Sequence, residues 1–263
     1  MRLSIFAGQS GICFAVVLLA HLARPGSSLA EDGYRLWLRY DLIDKPEVRT
    51  AYRAALTELE ITTLSPTLAI AKEELRIGLL GLLGKCPPFV PAITHNGALI
   101  VGTPQSSKTI ARLDLQNRLQ AAGAEGFVIL ATTAEGKSCT VVAANSDIGV
   151  LYGVFHLLRL LQTHQSLDEL SFVSAPRIKL RLLNHWDNLD RTVERGYAGF
   201  SLGDWHKLPN YLDPRYKDYA RANASIGING TVLTNVNANA WVLTPAYLEK
   251  VAALAIVFQP FDL

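Results

Sequence analysis

The chain has 263 residues, 49% of them hydrophobic and 18% charged, with 25 Lys and Arg against 23 Asp and Glu. That length holds one large domain or two small ones, and the apolar fraction is ample for a core. Intrinsic disorder, collagen-like or coiled-coil architecture and a polybasic nucleic-acid-binding surface are excluded by the same figures.

The first thirty residues read as a leader. Arg2 precedes the apolar run Ile12 to Ala20, then Arg24-Pro25-Gly26 follows, and Ser28-Leu29-Ala30 places small residues at −3 and −1 of a cut before Glu31. The run is shorter than the roughly 20 residues of a spanning helix, so a cleaved secretory signal is expected rather than an anchor. Residues 1–30 carry Arg2 and Arg24 and no acid, which leaves 23 basic against 23 acidic residues in the mature chain. Cys13 leaves with the leader. Cys86 and Cys139 belong to no CxxC or Cys/His cluster, and whether they pair is left open. The histidines show no zinc-ligand spacing, and neither GxGxxG nor GxxxxGK[ST] occurs, so no metal and no cofactor is expected.

Residues 34–43 alternate apolar and polar, as a half-buried strand should. Val48, Tyr52, Ala55, Leu56 and Leu59 recur at helical spacing after Pro46. Ser65 is placed to cap a second helix that runs from Pro66 until Gly84 ends it. Residues 98–102 read as a strand, and 126–131 with 139–143 as a hairpin across Glu135-Gly136-Lys137. Asn145, Ser146 and Asp147 then cap a long helix through Leu151, Phe155, Leu158 and Leu161. Gly149 and Gly153 in it predict close packing on a sheet, since His156 and Arg159 argue against a membrane dimer face. Residues 31–173 are therefore expected to form an α/β domain of the α+β sandwich kind.

The pattern changes after Ala175-Pro176. A strand over 179–183 ends in Asn184-His185-Trp186-Asp187-Asn188, and a long loop over 194–213 follows. A helix is predicted over 214–226, a strand over 231–234 that ends in Asn235-Val236-Asn237, and a last helix from Thr244-Pro245. Polar residues at the C-terminal end of both strands are how a (β/α)₈ barrel begins, but a complete barrel needs roughly 250 residues. Residues 174–263 thus read as an incomplete barrel, with the chain stopping where a third strand is expected.

The stretch NHWDNLDRTVERGYAGFSLGDW, residues 184–205, together with LPNYLDPRYKDYARANASIGINGTVLTNVNA, residues 208–238, resembles the α-glucuronidases of glycoside hydrolase family 67. EDGYRLWLRY (31–40) and VVAANSDIGVLYGVFHLLRLLQT (141–163) extend the likeness upstream. The resemblance implies an N-terminal domain similar to the non-catalytic domain of β-hexosaminidases, then a catalytic barrel present here only through its second βα unit. It implies removal of (4-O-methyl)glucuronic acid from xylan side chains with inversion. Inversion needs an acid and a base with carboxyls roughly 6.5–9.5 Å apart, and the family places its catalytic carboxylates on later strands, beyond residue 263. No catalytic residue is therefore assigned here. Gly203 stands where the family usually carries a bulky residue.

Substrate contact is assigned to Trp186, whose indole can stack on a pyranose face, and to Val236, which by resemblance leaves room beside the 4-O-methyl group. Asp187, Asn184, Asn235 and Asn237 are further candidates, each with a structural alternative. Gly199 to Gly203 spells GxSxG, but neither a central strand before it nor a helix after it is expected, so Ser201 is not read as a nucleophile. The sequons at Asn223 and Asn229 are read as structural. Expected partners are glucuronoxylan-derived oligosaccharides, with homodimerisation of a full-length protein left open, and neither nucleic acid nor, after leader cleavage, membrane. The competing reading is a catalytically inactive carbohydrate-binding or assembly module. Protein recovered outside the cytoplasm is expected to begin at Glu31 on terminal sequencing, and retention of Met1 would overturn the secretory reading.

Overall fold

Pro46–Ala55 (α1) ends one turn earlier than its apolar spacing predicts, because Leu56 turns the chain into a sheet and Leu59 lies in the strand Glu58–Ile61 (β1). In this computed structural model, which describes residues 32–234 and 239–263, β1 and Ala98–Gly102 (β2) are buried along their whole length. Strands buried on both faces need a layer on each side. Sequence periodicity missed β1 because two of its four residues are glutamates. Both are satisfied. Glu60 accepts from Ser107 and Thr109 hydroxyls at 2.7 and 2.9 Å, and Glu58 accepts from the Thr94 hydroxyl and the His95 N–H, each at 2.7 Å. Burial alone would raise the Glu58 carboxyl, but the hydrogen bonds from His95 and Thr94 outweigh it and hold it at about 2.

The helix Pro66–Leu83 (α2) is capped as its sequence predicts, with the Ser65 hydroxyl accepting from Leu68 N–H and Gly84 left-handed at the far end. Lys108–Arg112 (α3) and Gln116–Ala122 (α4) follow β2, and the hairpin of Phe127–Ala134 (β3) and Lys137–Ala144 (β4) pairs in the expected register. Asp147–Gln162 (α5) leads to the short edge strand Ser171–Ser174 (β5). The sheet order is β1-β2-β4-β3-β5, with β1, β2 and β4 parallel and β3 antiparallel to both its neighbours. Alternate side chains divide two cores. Leu99, Val101, Ile129 and Val142 face α2 and α5, while Ala98, Ile100, Val128 and Val141 face α3 and α4. A Cβ on Gly149 would lie 2.5 Å from the Gly126 carbonyl, and one on Gly153 would lie 2.6 Å from Val142, so α5 packs on the sheet as closely as the glycine spacing predicts.

The strand predicted over 34–43 is absent. Residues 34–37 make a turn and 38–43 run extended without a ladder, because Tyr40 takes a positive φ of 51°. Its apolar alternation has a different cause: Leu38, Tyr40 and Ile43 are buried, and the Ile43 N–H donates to Leu82 O at the end of α2. A Cβ on Gly81 would stand 2.3 Å from the Tyr40 carbonyl oxygen, so this approach requires glycine.

Beyond β5 the chain continues as Leu182–Asn184 (β6), Arg215–Ser225 (α6), Gly230–Val232 (β7) and Pro245–Phe258 (α7), with β6 and β7 parallel. This β-α-β-α order is the incomplete barrel. The third strand expected at the end is a 3₁₀ turn, Gln259–Phe261, whose Phe261 is buried in the core shared with α2 and α5. α6 and α7 contribute Tyr216, Ala220, Ala224, Leu254 and Phe258 to that same core. One ion pair crosses it. Arg221 of α6 donates to both carboxylate oxygens of Glu74 on α2 at 2.7 Å, and the Tyr40 hydroxyl donates to the same carboxylate. A second link joins Arg181, ahead of β6, to Glu125 and to the carbonyl of Gly227. Cys86 and Cys139 are free thiols. Among the described residues no helix is long and apolar enough to cross a membrane.

His156 on α5 stacks on Phe172 of β5, with ring centroids 4.6 Å apart and planes 11° from parallel. Arg159 donates to its Nδ1, so the neutral ring carries its hydrogen on Nε2. Burial first, and the Arg159 charge second, push its pKa down to about 4. Between about pH 6.5 and 4 the unfolded chain binds a proton that the folded chain does not, so stability is expected to fall as pH drops through that window. Urea titrations of the parent and of His156→Phe at pH 7 and pH 5 check this. The parent should lose more stability than the variant, and equal losses would contradict it.

Candidate active site

Strands β6 and β7 pair with Leu182 opposite Gly230, Leu183 opposite Thr231 and Asn184 opposite Val232, and the ladder runs on as His185 N–H donates to Val232 O at 2.9 Å. Side chains alternate across such a sheet, and the contacts tell the faces apart. His185 Nε2 meets the Tyr219 hydroxyl at 2.6 Å, and that hydroxyl meets Thr231 Oγ1 at 3.0 Å, so His185 and Thr231 point at α6. Asp187 and Leu233 share a small cavity with Tyr216 and Tyr219 of α6 and with Leu254 and Phe258 of α7. Asn184 and Trp186 take the opposite, helix-free face by alternation, where both are exposed, Trp186 at 39%.

The candidates therefore separate. Trp186 and Asn184 are together on the open face at the C-terminal end of β6. Asp187 is 5% exposed on the helix side, with His185 Nδ1 3.9 Å from its carboxylate. Asn235, Val236 and Asn237 lie outside the described residues.

The loop after β6 is folded back on the strand. Glu194 N–H donates to the Trp186 carbonyl at 2.9 Å, and the Asn188 side chain bonds Thr192 Oγ1 and the Glu194 carbonyl. Asp204 anchors its far end, taking Arg191 at 3.1 Å and Lys207 at 3.3 Å while its N–H donates to the Tyr216 hydroxyl. Burial raises the Asp204 carboxyl, but the Lys207 hydrogen bond and the Arg191 and Lys207 charges outweigh it and hold it below the usual carboxylate range. Arg191 and Lys207 are thus engaged within the loop. The Ser201 hydroxyl accepts from Gly203 N–H at 2.9 Å, and turns rather than a helix follow it, so the GxSxG string builds no nucleophile elbow. Both sequon asparagines are occupied, Asn223 by the Tyr219 carbonyl at 2.8 Å and Asn229 by the Lys179 carbonyl at 2.8 Å. Among the described residues no group of three or more His, Cys, Asp or Glu is arranged to hold a metal ion.

Sequence comparison supplies the context for this strand end. Residues 36–157 match the glycosyl hydrolase family 67 N-terminus, and residues 160–263 match the glycosyl hydrolase family 67 middle domain. The chain belongs to glycosyl hydrolase family 67. A probable α-glucuronidase A from Neosartorya fischeri is 31% identical over 253 residues, covering 94% of this chain and 29% of its own length. The probable α-glucuronidase A of Aspergillus oryzae is 32% identical over 255 residues, covering 95% and 29%. The chain thus spans about 29% of the length of these relatives. Among solved structures, a family GH115 4-O-methyl-α-glucuronidase with specificity for decorated arabinogalactans shares the fold at a TM-score of 0.51 and 15% identity, over 79% of this chain and 28% of that one.

In this family 67 chain the sequence reading overlooked the Tyr219–His185–Thr231 cluster. The period of two along Leu183, His185 and Asp187 was the available signal, since it puts His185 and Asp187 on the face opposite Asn184 and Trp186.

Proposed function

We propose that the chain is the amino-terminal part of a secreted α-glucuronidase that hydrolyses the α-1,2 bond between (4-O-methyl)glucuronic acid and xylose in xylan-derived oligosaccharides, with inversion. Family 67 membership supports the glycosidase reading, and the placement of Trp186 carries it to a site. An exposed indole at the C-terminal end of a barrel strand, with Asn184 beside it, stands where barrel enzymes build their substrate pockets. The indole offers its face to the apolar side of the glucuronyl ring, and Asn184 offers both a donor and an acceptor to hydroxyls. The acid and base of the inverting reaction are assigned to strands that follow residue 263 in a complete barrel. Glucuronoxylan oligosaccharides are the proposed ligands, met after export and without a cofactor.

In a protein that carries these residues within a complete barrel, Trp186→Ala is expected to lower kcat/KM on aldouronic acids at least tenfold, about 1.4 kcal/mol. Residues 31–263 alone are expected to release no glucuronate from the same substrates. Unchanged kinetics in a folded variant would assign the indole to packing. Turnover by 31–263 would place the carboxylate pair within this chain, with Asp190 and Glu194 the first to replace.

A further inference from the structure

Behind the open face lies a closed space that the proposed reaction does not use. Its volume is about 30 Å³, comparable with the share of one molecule in liquid water. Asp187, Gly203 and Trp205 line one end of it, and Leu233, Leu254 and Phe258 line the other. Trp205 is 2% exposed, and its indole N–H has no hydrogen-bond partner among the described residues. A buried donor left so is rare in folded proteins and costly. The position that a Cβ would take on Gly203 lies 3.5 Å from Trp205 Nε1, 3.5 Å from Asp187 Oδ2 and 3.4 Å from Ser201 Oγ. One N–H donor and two oxygen acceptors therefore surround a point that a residue without a side chain leaves accessible.

We propose that this point is a binding site for a single buried water molecule, which accepts from Trp205 Nε1–H and donates to Asp187 Oδ2 and Ser201 Oγ. Three hydrogen bonds is the usual complement of a buried water. The polarity of the three groups selects against other small occupants. A cation would meet the positive end of the indole N–H, an anion would meet the Asp187 carboxylate, and an apolar molecule would satisfy none of them. Ser201 Oγ already accepts from Gly203 N–H and has a second lone pair for the water. The consequence is mechanical. Asp187 is next to Trp186 in the chain, so the water ties the loop that carries Gly203 and Trp205 to the strand end that presents the indole.

Gly203→Ala tests the proposal by sign. Gly203 does not need a left-handed backbone, and a Cβ there would make contacts of ordinary van der Waals length. If the point holds nothing, alanine restrains the unfolded chain and should raise Tm. With water bound, the methyl group displaces it, leaves Trp205 N–H and Asp187 unpaired, and should lower Tm by about 2–4 °C. The second measurement is an NOE from bulk-separated water to the Trp205 indole N–H in the ¹⁵N-labelled chain, assigned by its loss in Trp205→Phe. An NOE present in the parent and lost in Gly203→Ala, with the fall in Tm, supports the site. A rise in Tm, or an indole N–H with no water NOE in the parent, overturns it.

Discussion

A carboxylate buried on α2 decides where the second half of the chain sits. Glu74 is 3% exposed, and taking such a charge out of water costs several kcal/mol unless its lone pairs are met. Arg221 meets it from α6 through two parallel N–H···O bonds, and Tyr40 meets it from the segment that lies along α2. The Arg221 guanidinium also sits 5.7 Å from the Tyr40 ring centroid. Burial, together with the adjacent Glu74 charge, pushes the Tyr40 phenol far above its ordinary value, so it remains a donor. Apolar packing is non-directional, whereas this arrangement has only one geometry. It fixes α6 on α2, and everything the candidate site uses hangs from α6.

The dependence can be followed outward. Tyr219, two residues before Arg221, takes His185 and Thr231 and so sets the helix-facing side of both barrel strands. Tyr216, one turn earlier, accepts from the Asp204 N–H and holds the end of the loop that folds back on Trp186. The open face is thereby defined by what the closed face grips. Trp186 is displayed because its neighbours in the strand, His185 and Asp187, are anchored on the other side.

Much of this was legible in the sequence, for identifiable reasons. The helices α2 and α5 announce themselves because Ser65, Pro66, Gly84 and Ser146 carry the capping chemistry locally. The hairpin is visible because its turn, Glu135-Gly136, suits two consecutive left-handed residues, and both take positive φ. β1 was hidden because Glu58 and Glu60 look solvent-facing until Thr94, His95, Ser107 and Thr109 arrive from elsewhere in the chain. Residues 38–43 imitated a strand because packing along α2 has the same alternation as packing on a sheet. At the site, the residue types in NHWDN pointed to the strand end, but their division between two faces depends on partners more than 30 residues away, such as Tyr219 at 34 residues from His185.

Hydrogen exchange resolved by residue tests the role of the Glu74–Arg221 pair most directly. In the parent chain the amides of α6 should open only with those of β2 and β4, as parts of one cooperative unit. In Glu74→Gln, Arg221 is left as an uncompensated buried charge, and α6 should open on its own at a free energy lower by about 3–5 kcal/mol, with β2 and β4 protected beyond it. If α6 in that variant keeps the protection it has in the parent, the apolar core alone holds the two halves together and the ion pair does not set the architecture.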